Sequence, residues 1–153
     1  EKITKEVMAA ALKFAQSRLC PPLLGQYAAI GALDTPWEYF DEVKAEYIRR
    51  RDCAIRMLNE MPGVFTPTPM GAFYTVAELP VDSAEKFAKW LLTEFRVGDE
   101  TVMVTPAASF YKTPGAGDRQ VRIAYVLEVP ELERAMNILA EALEAYPGRI
   151  LLR

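Results

Sequence analysis

The sequence contains no histidine. Ser-His and Cys-His nucleophile pairs therefore lack their base, and any chemistry must draw on carboxylates, lysine, tyrosine, arginine or a bound cofactor. Cysteine is scarce as well. Cys20 and Cys53 lie far apart, outside any Cys-x-x-Cys spacing, with no imidazole to complete a metal set; they read as small buried apolar residues of a reducing compartment. No apolar run approaches the roughly 20 residues needed to span a bilayer, and Glu1-Lys2-Ile3-Thr4 has no signal-peptide core, which gives the expectation of a cytoplasmic protein. An excess of basic charge is missing too. With 18 Lys and Arg against 21 Asp and Glu the net charge is -3, so nothing draws the chain toward nucleic acid or an anionic membrane. Glu1, standing where an intact chain would begin with Met, is compatible with a piece of a longer protein.

What the chain does have is apolar content: 51% of 153 residues, enough for one domain with a real core. Val7 to Leu19 places Val7, Ala11, Phe14 and Ala15 near one helical face, with Thr4 as N-cap and Pro21-Pro22 as the stop. Leu23 to Leu33 reads as a short Ala-rich helix, nearly uncharged all round, as expected of a helix buried against a larger body. Thr35-Pro36-Trp37-Glu38 carries a capping box and a proline at the first helical position. The helix it opens runs to about Met61, with acids early and arginines late, as the helix dipole prefers. At about 1.5 Å per residue its length is nearly 40 Å, so it suits a connector between two bodies.

Beyond Pro62-Gly63 the pattern changes to strands. Val64 to Thr66 and Ala72 to Ala77 flank a turn at Pro67 to Gly71 and are expected to pair. Asp82-Ser83-Ala84-Glu85 opens a helix with Phe87, Trp90, Leu91 and Phe95 on one face. Thr101 to Thr105 reads as a buried strand, Pro106 to Arg119 as a long loop, and Gln120 to Leu127 as a further strand. The last helix, Pro130 to Tyr146, has Leu132, Ala135, Met136, Leu139 and Leu143 on one stripe. This order predicts an α+β fold, a small mostly antiparallel sheet covered on one face by helices.

Candidate chemistry is sparse. Ser109-Phe110-Tyr111-Lys112 has the Ser-x-x-Lys spacing of serine acyl enzymes, but Pro114-Gly115 follows at once and the partner motifs are missing. Gly115-Ala116-Gly117 feeds a strand rather than a helix, which makes it a turn and not a phosphate cradle. Arg49-Arg50-Arg51 reads as a solvated helix face. Arg122 is different. It sits in Gln120-Val121-Arg122-Ile123-Ala124-Tyr125-Val126, where both alternating faces contain apolar residues, so substantial burial is expected. A buried arginine needs an anion, either a carboxylate of the protein or that of a ligand. Spacing alone favours the protein's own carboxylate.

Val104-Thr105-Pro106-Ala107-Ala108-Ser109-Phe110-Tyr111, followed by Val121-Arg122-Ile123-Ala124-Tyr125, resembles the pyridoxal-phosphate (PLP) aminotransferases of class I/II, fold type I, of the aspartate aminotransferase kind. Pro21-Pro22 with Gln26-Tyr27-Ala28-Ala29, Tyr47 to Arg51, and Pro69-Met70-Gly71-Ala72-Phe73-Tyr74 are similar to the same family in the same order. The resemblance covers nearly the whole chain, and implies its C-terminal portion. Residues 1–34 would be helices ending the large domain, and residues 35–153 the small domain with its connecting helix. Arg122 would bind the substrate's α-carboxylate. Arg18 would reach the neighbouring subunit's site in a homodimer and hold the second carboxylate of a dicarboxylic substrate, with aspartate the favoured donor. Ala107 and Ala108 stand where many members carry glycine, a departure bearing on substrate choice. The cofactor's lysine and its ring and phosphate contacts lie in the family outside the portion that this chain resembles. PLP is therefore expected in the full-length parent, and the chain alone is expected to bind none and to be inactive. A lyase or synthase on the same scaffold would use Arg122 equally, and a non-catalytic α+β interaction module is a further alternative; the uncharged Leu23–Leu33 helix speaks against the module.

Overall fold

The computed structural model describes residues 2–18 and 20–150. The chain divides into two compact units, Glu1–Asp41 and Glu42–Arg153, the division falling inside the third helix. The first unit is helical. Helix α1 spans Lys2–Ser17, so Thr4 lies within its first turn rather than capping it, and the predicted last residue, Leu19, lies outside the described residues. After the two prolines, α2 covers Leu23–Leu33 with the expected bounds. None of its residues is buried, and Leu24 and Leu33 are more than four-fifths exposed. Helix α3, Trp37–Glu60, begins where Pro36 fixes the backbone. The Thr35 hydroxyl does not cap it; it donates instead to the Ala32 carbonyl at 2.8 Å, closing α2.

The second unit is an α+β layer. A three-stranded antiparallel sheet is ordered β1-β3-β2, with β1 at Tyr74–Glu78, β2 at Thr105–Pro106 and β3 at Gln120–Ala124. Register runs from Tyr74↔Ala124 to Glu78↔Gln120 on one side of β3, and Thr105↔Arg122 and Pro106↔Val121 on the other. Helices α4, Ala84–Thr93, and α5, Val129–Ala145, supply one side of the core. Phe87 and Leu91 of α4 and Leu132, Met136, Leu139 and Leu143 of α5 join Leu58 of α3 and Ala77, Val121 and Ile123 of the strands in a single buried cluster. The N-cap of α4 forms as expected, with the Ser83 side chain accepting from the Lys86 amide.

Two predicted strands contract. Of Val64 to Thr66 only Phe65 bridges to Glu78, because Thr66 turns to the side-chain clamp of Asn59. The Asn59 amide donates to the Thr66 carbonyl and accepts from its N–H, each at 3.0 Å. Thr101 to Thr105 is not a buried strand: only Thr105 reaches the ladder, and Met103 points largely to water. The loop from Pro106 to Arg119 contains a 3₁₀ turn at Ala108–Phe110. Gly115 and Gly117 adopt φ of +78° and +77°, the left-handed conformation that a side chain disfavours, which explains glycine at these turn positions.

Candidate functional site

Strict alternation along β3 sends Val121 and Ile123 into the core and Gln120, Arg122 and Ala124 to the opposite face of the sheet. Tyr125 continues the inward series. It is buried, its hydroxyl donates to the Ala72 carbonyl at 3.2 Å, and burial pushes its pKa up. Arg122 is exposed on the other face. The expectation of a buried arginine paired with a carboxylate of the protein is therefore corrected: helices cover the Val121-Ile123 face, and no salt bridge among the described residues includes Arg122.

The acids and amides around it are committed elsewhere. Glu78, at the far end of β1 on the same face, accepts from the Arg119 guanidinium at 2.5 Å. The side chain of Gln120 accepts from the Tyr111 hydroxyl at 2.6 Å. What Arg122 does meet is aromatic. Its Cζ lies 5.7 Å from the centroid of the Tyr74 ring and 5.4 Å from that of Phe110. Tyr74 comes from the start of β1 and Phe110 from the 3₁₀ turn after β2. Each such contact contributes about 0.5–1 kcal/mol at an exposed site, and none neutralises the charge. The result is a cation on an open sheet face, flanked by rings and free to receive an anion.

Local structure fixes this arrangement. Ala107 is fully buried, and its N–H donates to the Gln120 carbonyl at 2.9 Å, pinning the turn to β3. Gly117 permits the Tyr111 ring to lie against the following loop, since a Cβ at this position would stand 2.6 Å from ring carbons. Because β2 begins only at Thr105, the edge of β3 beyond Arg122 is open. A cleft of about 430 Å³ enters there between residues 101–105 and α5, with Met103, Arg122, Leu132 and Ala135 among its walls.

Arg50 also departs from the sequence reading. It is not on a solvated face: its side chain is 16% exposed, pairs with Glu46 at 2.7 Å and donates to the Val126 carbonyl at 2.5 Å. Arg49 and Arg50 together hold the Glu46 carboxyl below the usual carboxylate range. Arg18 lies in the other unit, exposed in the turn after α1, its N–H donating to the Ala15 carbonyl at 3.2 Å. Cys20 is exposed rather than buried, while Cys53 is partly buried and burial raises its thiol pKa. Tyr74 and Phe110 as neighbours of Arg122 were not identified from sequence. The signal lay in the register, since Tyr74 falls on the same face only once β1 and β3 are aligned.

No helix among the described residues is long and apolar enough to cross a membrane, and no group of His, Cys, Asp or Glu among them is arranged to hold a metal ion. Residues 3–139 match the family model of aminotransferase class I and II. An aspartate aminotransferase of Pyrococcus horikoshii is 37% identical over 123 residues, which is 78% of this chain and 29% of that protein. Aromatic-amino-acid aminotransferase 2 of Thermococcus litoralis is 34% identical over 129 residues, 82% of this chain and 31% of the relative. Among solved structures, an aromatic aminotransferase from Pyrococcus horikoshii superposes with a TM-score of 0.71 at 36% identity, covering 86% of this chain and 34% of the other. The α-aminoadipate aminotransferase LysN of Thermus thermophilus, solved with N-(5'-phosphopyridoxyl)-L-leucine, shares the fold with a TM-score of 0.75 at 21% identity, over 92% and 36% of the two chains. The chain thus spans about a third of the length of the relatives it matches.

Proposed function

Because the chain belongs to the class I and II aminotransferase family, we propose that it is the C-terminal, small-domain portion of an amino-acid aminotransferase, in which Arg122 receives the α-carboxylate of the substrate. Residues 1–34 are then the last helices of the large domain, and residues 35–153 the small domain with α3 as its connector. One observation carries the assignment: an arginine held on an open sheet face, with no carboxylate partner among the described residues. A guanidinium offers two parallel N–H donors to a planar carboxylate, which fixes the orientation of the substrate as well as its position. A charge-assisted pair of this kind is worth roughly 1.5–3 kcal/mol.

On this reading the covalent amine anchor for pyridoxal phosphate lies in the rest of the parent: among the described residues none of the strands around Arg122 carries a lysine, and Lys112, two residues beyond the 3₁₀ turn, is exposed. The chain's share of the reaction is to bind and orient the amino acid or the 2-oxo acid, and alone it is inactive. The names of the relatives point to aspartate and to aromatic amino acids as donors. In the homodimeric parent, exposed Arg18 is the candidate for the second carboxylate of a dicarboxylic donor, reaching the site of the other subunit.

Absorbance titration with pyridoxal phosphate tests the division of labour. Only a protein extended to the length of the relatives is expected to develop the covalent chromophore. In that protein Arg122→Ala is expected to lower kcat/KM by roughly 10- to 150-fold, the rate equivalent of the lost pair. Arg18→Ala is expected to weaken aspartate selectively against a monocarboxylic donor. A chromophore on the 153-residue chain alone would mean that one of its own lysines is the anchor, and the proposal would fail.

A further inference from the structure

An exposed arginine without an ion pair is a poor receptor unless something restricts it, because a long side chain loses rotamer freedom when it binds. Arg122 is restricted by rings. Tyr74 and Phe110 approach the same guanidinium carbon at 5.7 and 5.4 Å, both within the roughly 6 Å over which a ring quadrupole attracts a cation. The two rings come from different elements, so their convergence is tertiary and not a consequence of sequence spacing.

Each ring is itself held. Tyr74 packs edge-on against Phe73, centroids 5.7 Å apart at 89°, and its backbone is in the β1–β3 ladder. Phe110 closes the 3₁₀ turn, its N–H donating to the Ala107 carbonyl at 2.9 Å. That turn is anchored to β3 on one side by the Ala107 N–H and on the other by the Tyr111 hydroxyl on Gln120. Both rings nonetheless stay about half exposed, 41% for Tyr74 and 53% for Phe110. They contribute little to the core, and their common contact is the cation.

We infer that Tyr74 and Phe110 are positioning residues for Arg122, an aromatic bracket that holds the guanidinium ready for a carboxylate before the ligand arrives. The inference rests on the carboxylate-binding reading above and adds the residues that prepare the site. The rings act through Arg122. A ring without a hydroxyl suffices at position 74, since the Tyr74 hydroxyl makes no hydrogen bond among the described residues and the contact is with the ring face.

Two measurements decide it. In the full-length holoenzyme, Tyr74→Leu and Phe110→Leu are each expected to lower kcat/KM for the amino donor about 2- to 5-fold, mainly through KM, while Tyr74→Phe retains the wild-type value. In an Arg122→Ala background the same Leu substitutions are expected to change kcat/KM by less than about twofold, because the group they position is gone. Equal losses with and without Arg122 would overturn the inference, as would ring variants indistinguishable from wild type while Arg122→Ala is impaired. If Arg122→Ala itself costs nothing, the carboxylate reading fails, and the bracket as a device for substrate fails with it. The second measurement separates the two. In the 153-residue chain, NMR of the Arg122 δ-methylene and Nε–H is expected to show ring-current shifts lost stepwise in the Leu variants, at unchanged shifts of core methyl groups. Free-arginine shifts in the unsubstituted chain would refute the bracket whatever the enzyme assay shows.

Discussion

Thr66 and Thr75 form a buried polar pair whose worth can be read by a double-mutant cycle. Their hydroxyl oxygens are 2.6 Å apart, and the residues are 2% and 3% exposed. The Thr66 hydroxyl also lies 3.1 Å from the Val76 carbonyl. Thr66→Val keeps the shape of the side chain but leaves the Thr75 hydroxyl buried without this partner, a loss of about 1–3 kcal/mol. For a cooperative unit of about 110 residues, 1 kcal/mol corresponds to about 4 °C, so the Tm of the second unit should fall by about 4–12 °C. Replacing both residues removes the stranded hydroxyl as well. The Thr66→Val/Thr75→Val protein should therefore lose clearly less than the sum of the two single losses, with a coupling of about 1 kcal/mol or more. Calorimetry or circular dichroism on the four proteins measures this. Strict additivity would refute the reasoning, since it would show that neither hydroxyl depends on the other.

Alkaline stability should report Tyr146. Burial first, and the Asp82 carboxylate that accepts its O–H at 2.9 Å second, push its pKa up to about 12. The folded protein then keeps a proton that the unfolded chain has lost, so the stabilisation is full below about pH 10 and disappears as pH rises toward about 12. Urea unfolding from about pH 9 to 12 should show a steeper loss for the wild type than for Tyr146→Phe; parallel curves would contradict it. On the acid side, Lys86 first and Tyr146 second hold Asp82 below the usual carboxylate range, so its contribution is present above about pH 4 and is lost as pH falls through the lowered value. Gly117→Ala combines a φ of +77° with a Cβ 2.6 Å from the Tyr111 ring. It should destabilise by about 1–3 kcal/mol, and unchanged thermal unfolding would count against the close packing of that turn.

The helices were legible because their signals are local. Pro21-Pro22 separates α2 from α1 within the sequence, and Ser83 starts α4 where its hydroxyl accepts from Lys86. Its even apolar surface also marked α2 as a helix that covers something, and it buries no residue in this chain. The strands were less legible because a ladder ends where its partner ends. Gln120 to Leu127 is apolar to its last residue, yet β3 stops at Ala124, opposite the first residue of β1. The environment of Arg122 is hidden in the sequence for a related reason. Ala124 and Val126 give its face an internal pattern, whereas the groups that meet the guanidinium there are Tyr74 and Phe110, residues distant in sequence. Composition cannot show which side of a sheet the helices choose.

The backbone beyond β3 is braced without a strand. The Tyr125 N–H donates to the Phe73 carbonyl at 2.9 Å, and the Val126 carbonyl accepts from the Arg50 guanidinium of α3. Hydrogen exchange at the two ends of the arginine-bearing segment should therefore be lopsided. The Tyr125 amide is expected to exchange as slowly as those of the ladder, and Thr105, at the end of a two-residue strand, to belong to the side that opens first. Local breathing of the sheet is then expected to start at the β2 edge and to leave the tether between α3 and the C-terminal end of β3 closed.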